Sequence, residues 1–392
     1  MKITTTLKHV VLVLLAVAAC ISLVQGINNA ILRQGGSQDT QWSPSRALLE
    51  HTDPYRAYRD PNGKSPMILC QAPNYPASGL VFLWPYAVWE WPVAKTLWAV
   101  SNVLFTAIIL FCVFRLLPVD TPCMSKLLIA MLFVTGTPWR NGVGNGQHAL
   151  FTLALFLLSV VIVSRSANAA GIPLAVSWFK YTIAFPLTLF FARSKRLWAA
   201  ILVATAIHAV LTIFAAIWVD TSPVDLLLGT LRVAQSATGR GYLDVFAIAS
   251  ELGLSSKLVP AVFALAILGV TYLAVRRDAD ELSCLSTLSM AAMTVVFHGG
   301  YDFVVLVIPL SYALRERAMN TRSKYYLLVI GMIWFVDKMV VVVSKQSWFS
   351  PFAGFLSLYF WVKIVVFYGA LCADWVTVFK SRQCVTTSTS CG

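Results

Sequence analysis

Long apolar runs separated by short polar segments dominate the chain, and the longest polar segment is Gly36–Pro76. A membrane-spanning helix needs about 20 predominantly apolar residues. Runs that approach this length lie at Val10–Val24, Lys95–Leu117, Met124–Trp139, Ala149–Val163, Leu197–Val219, Lys257–Val275, Leu282–Phe297, Tyr301–Leu314, Tyr325–Val343 and Ala353–Cys372. The pattern predicts an all-α polytopic integral membrane protein with about 10–11 membrane helices, including a re-entrant pair.

The re-entrant pair is predicted at Ala170–Ala192, an apolar run with Arg165 before it and Arg193 after it. Basic residues mark the cytoplasmic ends of spans, so both ends of this run are predicted on one side. Pro173 and Pro186 interrupt a helix. Two half-helices that line a cavity satisfy both observations.

The Gly36–Pro76 segment is too long for a simple connector and is predicted to form a helical external cap. Gly79–Trp91, which follows it, is rich in Trp and too short to span, so it is predicted to be interfacial. The chain then divides into a first span at 1–26, an external loop at 27–94, where we place the chemistry, and a multi-span body at 95–379. The body includes a second external loop at 220–256, and the tail at 380–392 is predicted to be unstructured.

Composition supports the membrane assignment. Hydrophobic residues make up 58% of the 392 residues, charged residues make up 12%, and the mean hydropathy is +0.74. A soluble domain has about twice that charged fraction. The net charge of +13 is explained by basic residues at cytoplasmic span ends. Since no basic block interleaved with aromatic residues occurs, the predicted partner is the lipid bilayer and not nucleic acid.

Basic residues also predict the orientation of the chain. Lys2 and Lys8 precede the first apolar run, and Lys380 and Arg382 follow the last one, which predicts both termini in the cytoplasm. A cleaved signal peptide is the alternative for the first run, but the run continues past Cys20 and favours an uncleaved anchor. These features suit a multi-pass protein of a bacterial cytoplasmic (inner) membrane.

Metal-binding signals are weak. The eight cysteines form no CxxC pair, so neither a disulfide framework nor a zinc site is predicted. Asp278-Ala279-Asp280 has the form of a metal-binding DxD motif, but it is predicted in a cytoplasmic turn, where a solvated turn is the favoured interpretation. No metal and no cofactor is predicted.

Four groups of polar residues lie at span ends predicted on the external side, and packing of the spans could bring them together over one cavity. They are Asp39 with Asp53 and Tyr55; Arg140 with Asn141, Asn145, Gln147 and His148; Asp225 to Asp244; and His298-Gly299-Gly300-Tyr301-Asp302.

Each candidate residue also has a structural interpretation. Asp39 suits a general base, but capping of a Trp42–Leu49 helix is favoured from the bare residue. His298, followed by two glycines, suits a hydrogen-bond donor to a phosphate, or equally a hydrogen-bonded helix end. Arg140 suits an anionic headgroup, although interfacial snorkelling is favoured.

Two further candidates have charges in or beside apolar segments. Lys180 lies within the predicted re-entrant pair, and intramembrane charges indicate function by default. Asp302 is predicted to complement the dipole at the start of the next helix. Lys338 and Lys363 also lie in apolar segments, and Asp337 offers Lys338 a local ion-pair partner.

The order of several short motifs resembles glycosyltransferase family 87, the polyprenyl-phosphate-mannose-dependent mannosyltransferases, also known as the DUF2029 grouping. The motifs are Asp39; Asp53-Pro54-Tyr55; Asn74-Tyr75-Pro76 followed by Pro85 and Leu97-Trp98; Asn145-Gly146-Gln147; Ala170-Gly171 with Lys180 and Pro186; and His298 with Tyr301-Asp302. The similarity extends from about Gly36 to Pro309. Ala77 replaces the second proline that the family typically has after Pro76.

The resemblance implies a GT-C fold whose first external loop carries a catalytic acidic residue, and Asp39 occupies that position. It implies inverting transfer of a sugar, most often mannose, from a polyprenyl-phosphate donor to an acceptor hydroxyl on a glycan or glycolipid. His298, Arg140, Gln147, Lys180, Tyr301 and Asp302 are the candidates for binding the donor phosphate or sugar, and Asp53 and Tyr55 for binding the acceptor or shaping the loop.

Two rival hypotheses stay open. A transporter or lipid flippase would use Lys180 and the broken helices as a midplane site, but no duplication of the two halves is evident in the sequence. A scaffold subunit of an envelope-assembly complex would need neither Asp39 nor His298.

Overall fold

The computed structural model describes residues 2–32, 39–60, 69, 71–236, 243–276, 278–315, 320–345 and 353–388. In these ranges the secondary structure is helical, without a strand. The α-helices are α1 Lys2–Leu32, α2 Trp42–Leu49, α3 Pro54–Arg59, α4 Ala77–Phe82, α5 Trp84–Ala87, α6 Trp91–Leu116, α7 Cys123–Thr135, α8 Thr137–Gly144, α9 Ala149–Val163, α10 Ala167–Ser177, α11 Tyr181–Ala192, α12 Trp198–Trp218, α13 Pro223–Ser236, α14 Val245–Glu251, α15 Leu258–Val275, α16 Glu281–Val295, α17 Val307–Leu314, α18 Thr321–Gly331, α19 Asp337–Ser344 and α20 Ala353–Ser388.

Seven helical stretches in the described ranges are long and apolar enough to cross a membrane. They are His9–Leu32, Trp91–Leu116, Ala167–Ala192, Lys195–Trp218, Leu258–Val275, Thr321–Ser344 and Gly354–Phe379. Cys123–Thr135, Glu281–Val295 and Asp302–Leu314 are shorter apolar helices. The protein is therefore an all-helical, multi-pass membrane protein, and several of the predicted spans are shorter than a full crossing.

The sharp break in the chain is not where the sequence predicted it. Ala167–Ala192 is a single span-length stretch, in which a 3₁₀ turn at Trp178–Lys180 joins α10 to α11. Pro173 and Pro186 are both accommodated inside helices. The bend of 110° lies instead between α8 and α9.

Two further segments differ from their predictions. Arg140–His148 was predicted as a turn because it is rich in Gly and Asn, but its first half belongs to α8 and only Asn145–His148 lies between helices. The tail after Phe379 was predicted as unstructured, but α20 continues to Ser388.

The helices form two compact units. The Asp39 unit comprises Leu23–Cys112 and Arg140–Arg240, and the His298 unit comprises Met1–Ser22, Val113–Trp139 and Gly241–Gly392. Each unit has its own buried core.

The core of the Asp39 unit is built around α9, whose apolar side chains are mostly buried. Helix α10 packs on α9 and on α12, and α12 packs on α4. Gly171 permits the close approach of α10 to α12, because a Cβ there would lie 2.5 Å from the Val203 Cβ and 2.8 Å from the Ala200 carbonyl oxygen. Helices α2 and α3 lie in the Gly36–Pro76 segment that was predicted to form a helical cap, and the short helices α4 and α5 follow it, where an interfacial segment was predicted at Gly79–Trp91.

The core of the His298 unit is α16, in which every side chain after Glu281 is buried. Helices α15, α17 and α20 pack around it. A buried ion pair joins Arg322 on α18 to Asp374 on α20, and Arg322 also donates to the Thr287 hydroxyl of α16 at 2.9 Å. The pair satisfies two charges that would be costly to bury alone.

A second ion pair corrects a prediction. The Lys363 ammonium lies 2.9 Å from the Asp337 carboxylate, so α20 supplies a partner for Asp337, which the sequence had matched with the adjacent Lys338.

Candidate functional site

Asp39 lies in a turn with unusual backbone geometry. Thr40 and Gln41 follow it with φ of 53° and 63°, the left-handed region that residues other than Gly seldom occupy. Such conformations persist only where the surroundings hold them, and they concentrate at functional sites. We refer to residues 39–41 as the Asp39 turn.

The Asp39 carboxylate is buried, at 4% exposure. Its Oδ2 accepts the Ser43 backbone N–H at 2.9 Å, so the predicted capping of the Trp42–Leu49 helix is present. Its Oδ1 is buried and has no protein hydrogen-bond partner. One oxygen therefore holds the side chain in place, and the other is left to accept a proton or a ligand hydroxyl.

Burial raises the pKa of Asp39 above its usual value, and hydrogen bonds from Ser43 offset part of the increase. A carboxylate with a raised pKa is a stronger base than an ordinary aspartate.

Hydrogen bonds of Gln41 connect the Asp39 turn to the start of the Asn74-Tyr75-Pro76 motif. Its side-chain amide donates to the Ala72 carbonyl at 2.9 Å and to the Asn74 Oδ1 at 3.4 Å. Its backbone N–H donates to Gln71 Oε1 at 3.0 Å. Sequence reasoning missed Gln41, whose burial and left-handed backbone become evident only in the fold.

The other side of the Asp39 turn faces the Asn145-Gly146-Gln147 motif. Gly146 has φ of +61°, and a Cβ there would overlap the Thr40 methyl group. Trp98 Nε1 donates to the Gly146 carbonyl at 2.8 Å. The fold thus brings the Asp39 turn against the residue that precedes Gln147, and Gln147 itself is buried at 8% exposure.

Aromatic rings connect these motifs to Lys180. Tyr75 stacks on Phe179 with ring centroids 4.4 Å apart, and His148 lies 4.6 Å from Phe179. Lys180, the next residue, is buried at 4% exposure. Thr40 lies against Gly146, and His148 lies against Phe179, so residues adjacent in sequence to Asp39, Gln147 and Lys180 contact one another within the Asp39 unit.

Asp53, Tyr55 and Arg140 have different surroundings. Asp53 caps α3, since its Oδ1 accepts the backbone N–H of Tyr55 at 2.9 Å and of Arg56 at 3.1 Å. The buried Tyr55 hydroxyl donates to the Tyr75 carbonyl at 2.6 Å. Both residues thus shape the loop around Tyr75. Arg140 lies half-buried on α8.

His298 is held on both sides by its own unit. Its Nε2 lies 2.8 Å from the Ala292 carbonyl oxygen, and its Nδ1 lies 3.3 Å from Asp302 Oδ2. Both ring nitrogens therefore face oxygen atoms of the same unit. The predicted interpretation of a hydrogen-bonded helix end is confirmed, and Asp302 Oδ2 also accepts the Gly299 backbone N–H at 3.1 Å.

The loop around His298 is tightly built. A Cβ at Gly299 would lie 2.6 Å from the Tyr301 ring, so a larger residue there would displace that ring. Trp334, in a π-helical turn at Met332–Val336, donates to the Phe303 carbonyl at 2.9 Å. A π-helical turn inside an α-helix is uncommon and is frequent at functional sites.

The DxD motif has structural partners. Asp280 caps α16 by accepting the backbone N–H of Leu282 and Ser283, and it pairs with Arg315. Asp278 accepts the Ser283 hydroxyl. Across the described ranges, no group of three His, Cys, Asp or Glu side chains is arranged to hold a metal ion.

Comparison with known proteins gives one match. The family model for glycosyltransferase family 87 matches residues 74–309, which is more than half of the chain. The chain belongs to glycosyltransferase family 87. The match includes Arg140, Gln147, Lys180, His298, Tyr301 and Asp302, whereas Asp39, Asp53 and Tyr55 precede it. No curated protein and no solved structure matches the chain.

Membership of family 87 makes the protein a glycosyltransferase, as the sequence predicted. It gives the Asp39 unit a chemical context, because a glycosyl acceptor must lose a proton when its hydroxyl oxygen attacks the sugar.

Proposed function

We propose that this family 87 glycosyltransferase transfers a sugar, in the first instance mannose, from a polyprenyl-phosphate donor to a hydroxyl of a lipid-linked or envelope glycan. The transfer takes place with inversion at the outer face of a bacterial cytoplasmic membrane, in which both termini are cytoplasmic. The observation that carries the proposal is the buried Asp39 carboxylate with one unpartnered oxygen.

In the proposed mechanism, Asp39 acts as the general base. The acceptor oxygen attacks the anomeric carbon as the bond from that carbon to the phosphate oxygen breaks. The acceptor proton passes to Asp39, and the electron pair of the broken bond leaves with the polyprenyl phosphate. A phosphate leaves as a stable anion, so no proton donor is needed on that side. The transition state resembles an oxocarbenium ion.

The remaining site residues are assigned by charge and hydrogen-bonding capacity. Arg140 and Lys180 are the proposed partners of the leaving phosphate, because cationic donors stabilise the charge that develops there. Gln147, Tyr301 and Asp302 are proposed to contact the donor. His298 can donate to a ligand only by giving up its bond to Ala292 or Asp302, so we propose that it reaches the phosphate after such a change.

Transfer of label tests the proposal. Membranes with and without the wild-type protein are incubated with radiolabelled polyprenyl-phosphate mannose and a lipid and glycan extract from the host. Label in a new product only with the protein supports the proposal, and an anomeric configuration opposite to that of the donor supports inversion. Label that crosses sealed vesicles without forming a covalent product would favour the transporter hypothesis instead.

A further inference from the structure

Asp244 is a buried carboxylate of the His298 unit that the proposed mechanism does not use. It is 1% exposed and begins α14, where its Oδ1 accepts the backbone N–H of Phe246 at 3.1 Å and of Ala247 at 3.0 Å. Its Oδ2 is buried and has no hydrogen-bond partner in the protein. Capping thus accounts for one oxygen, and the other is unexplained.

Several contacts bring Asp244 to the His298 loop. The Tyr368 hydroxyl donates to the carbonyl of Leu243 at 3.1 Å and lies 3.5 Å from the carbonyl oxygen of Thr294. Thr294 is in the last turn of α16, within the segment whose two ends are joined by the contact between His298 Nε2 and the Ala292 carbonyl oxygen. Helix α14 also packs on α16. Asp244 therefore lies near His298, and the two side chains interact electrostatically.

Leaving a charged oxygen buried without a hydrogen-bond partner is costly, because the oxygen loses its hydration and gains nothing in return. Burial accordingly raises the pKa of Asp244, and the nearby His298 and the capping N–H groups offset part of the increase. The burial of this oxygen is explained if a ligand donates the missing hydrogen bond to it.

The chemistry around Asp244 restricts that ligand. A phosphate would be repelled by the Asp244 carboxylate, and the described residues provide no set of three ligands for a metal ion. A hydroxyl group donates one hydrogen bond without a charge, and sugars present several hydroxyls at fixed spacing. Carboxylates therefore suit the recognition of sugar hydroxyls.

We propose that Asp244 is a sugar-binding residue whose Oδ2 accepts a hydrogen bond from a hydroxyl of a sugar ligand. The inference rests on the proposed function, since it takes a sugar as the substrate. The hydroxyl belongs either to the donor sugar or to an acceptor sugar, and the test distinguishes these sources.

The test compares wild type with Asp244→Asn. Asn is as good a helix cap as Asp, so the capping of α14 is retained while the second acceptor oxygen is replaced by an amide NH₂. Glu251→Gln, at the exposed end of the same helix, is the matched control for loss of a negative charge. Thermal melts of the three purified proteins show whether folding is preserved.

Binding is measured directly, so the result does not depend on turnover. The probes are a short-chain polyprenyl-phosphate mannose, the same polyprenyl phosphate without sugar, and methyl mannoside. We expect Asp244→Asn to weaken binding of one sugar-bearing probe by about 10- to 100-fold, as for a hydrogen bond to a charged group, without weakening binding of the bare lipid phosphate. Glu251→Gln should bind every probe as wild type does.

The pattern of loss identifies the source of the hydroxyl. Weaker binding of the mannosyl lipid alone assigns Asp244 to the donor sugar, and weaker binding of methyl mannoside assigns it to the acceptor. Equal affinity of wild type and Asp244→Asn for both sugar probes overturns the inference and leaves water as the ligand of Oδ2. Label transfer by wild-type membranes, measured in parallel, reports separately on the proposed function.

Discussion

Gly146 offers a test of how the Asp39 turn is held in place. Its φ of +61° disfavours any residue with a Cβ, and a Cβ there would overlap the Thr40 methyl group. The left-handed conformation costs Ala about 1–2 kcal/mol. Forced overpacking costs about 1–3 kcal/mol more. Gly146→Ala should therefore destabilise the protein by roughly 2–5 kcal/mol.

The overlap also predicts a loss of activity. Thr40 is adjacent to Asp39, so relief of the overlap must displace the turn that positions the carboxylate. A displacement of about 1 Å in a catalytic group costs on the order of 100-fold in rate. The assay combines thermal melts with label transfer from polyprenyl-phosphate mannose.

Two variants separate the backbone cost from the overlap. Gly253 has φ of +71° and nothing within 4 Å of an added Cβ, so Gly253→Ala should show the backbone cost alone and keep its activity. Thr40→Ser removes the overlapping methyl, so Gly146→Ala/Thr40→Ser should regain most of the lost transfer. Wild-type transfer by Gly146→Ala, or no recovery in the double variant, would refute this account of the turn.

Four further predictions follow from other buried polar groups of the protein. Because burial raises the pKa of Asp39, ionisation of Asp39 destabilises the folded state as pH rises through that pKa. Asp39→Asn cannot ionise, so it should be more stable than wild type at about pH 7.5 and lose that advantage toward about pH 4. Thermal melts at both pH values measure the difference. The transfer rate of wild type should fall with acidification on a limb that lies above the ordinary aspartate value, and a limb at or below that value would contradict the raised pKa. Asp374→Ala leaves the buried Arg322 without its ion-pair partner and should lower the free energy of unfolding by about 3–5 kcal/mol. Asp337→Ala breaks the less buried pair with Lys363 and should lower it by less. Denaturation curves of the two variants, measured in parallel, test the comparison. Tyr55→Phe removes the hydroxyl that donates to the Tyr75 carbonyl and should cost about 1–3 kcal/mol; an unchanged melting temperature would show that this hydrogen bond does not hold the loop.

The sequence predicted those parts of the fold that depend on local apolar pattern. Ala149–Val163 was predicted with the bounds that the structure gives, and the Trp42–Leu49 helix of the cap was predicted as well. The length and position of such helices can be read from the apolar run and the polar residues at its ends, so these features were predictable without knowledge of tertiary contacts.

Features that depend on packing were not predictable in this way. The 110° bend lies between α8 and α9, although the helix-breaking prolines at 173 and 186 favoured another place, because neighbouring helices can accommodate proline. Asp337 pairs with Lys363 and not with the adjacent Lys338, and only the packing of α19 on α20 decides that choice.

The candidate site was predicted in part. Asp39 was chosen from its place in the family pattern, while its unpartnered oxygen and the left-handed turn are visible only in the structure. Gln41 carried no local signal, because its partners Gln71, Ala72 and Asn74 are distant in sequence. Asp244 was placed in an external polar group by the sequence, but its burial and its unpartnered oxygen are visible only in the structure.

Replacement of Asp39 by Asn is the most direct test of the central claim. Asn retains an oxygen to accept the Ser43 N–H, so the turn should fold as in wild type, but the side chain can no longer take a proton. Purified wild type and Asp39→Asn are compared for transfer from polyprenyl-phosphate mannose, with donor binding and melting temperature as controls. The account predicts a melting temperature at least as high as that of wild type and unchanged donor binding, with a loss of transfer of about 100-fold or more. Transfer by well-folded Asp39→Asn within a few-fold of wild type would contradict it.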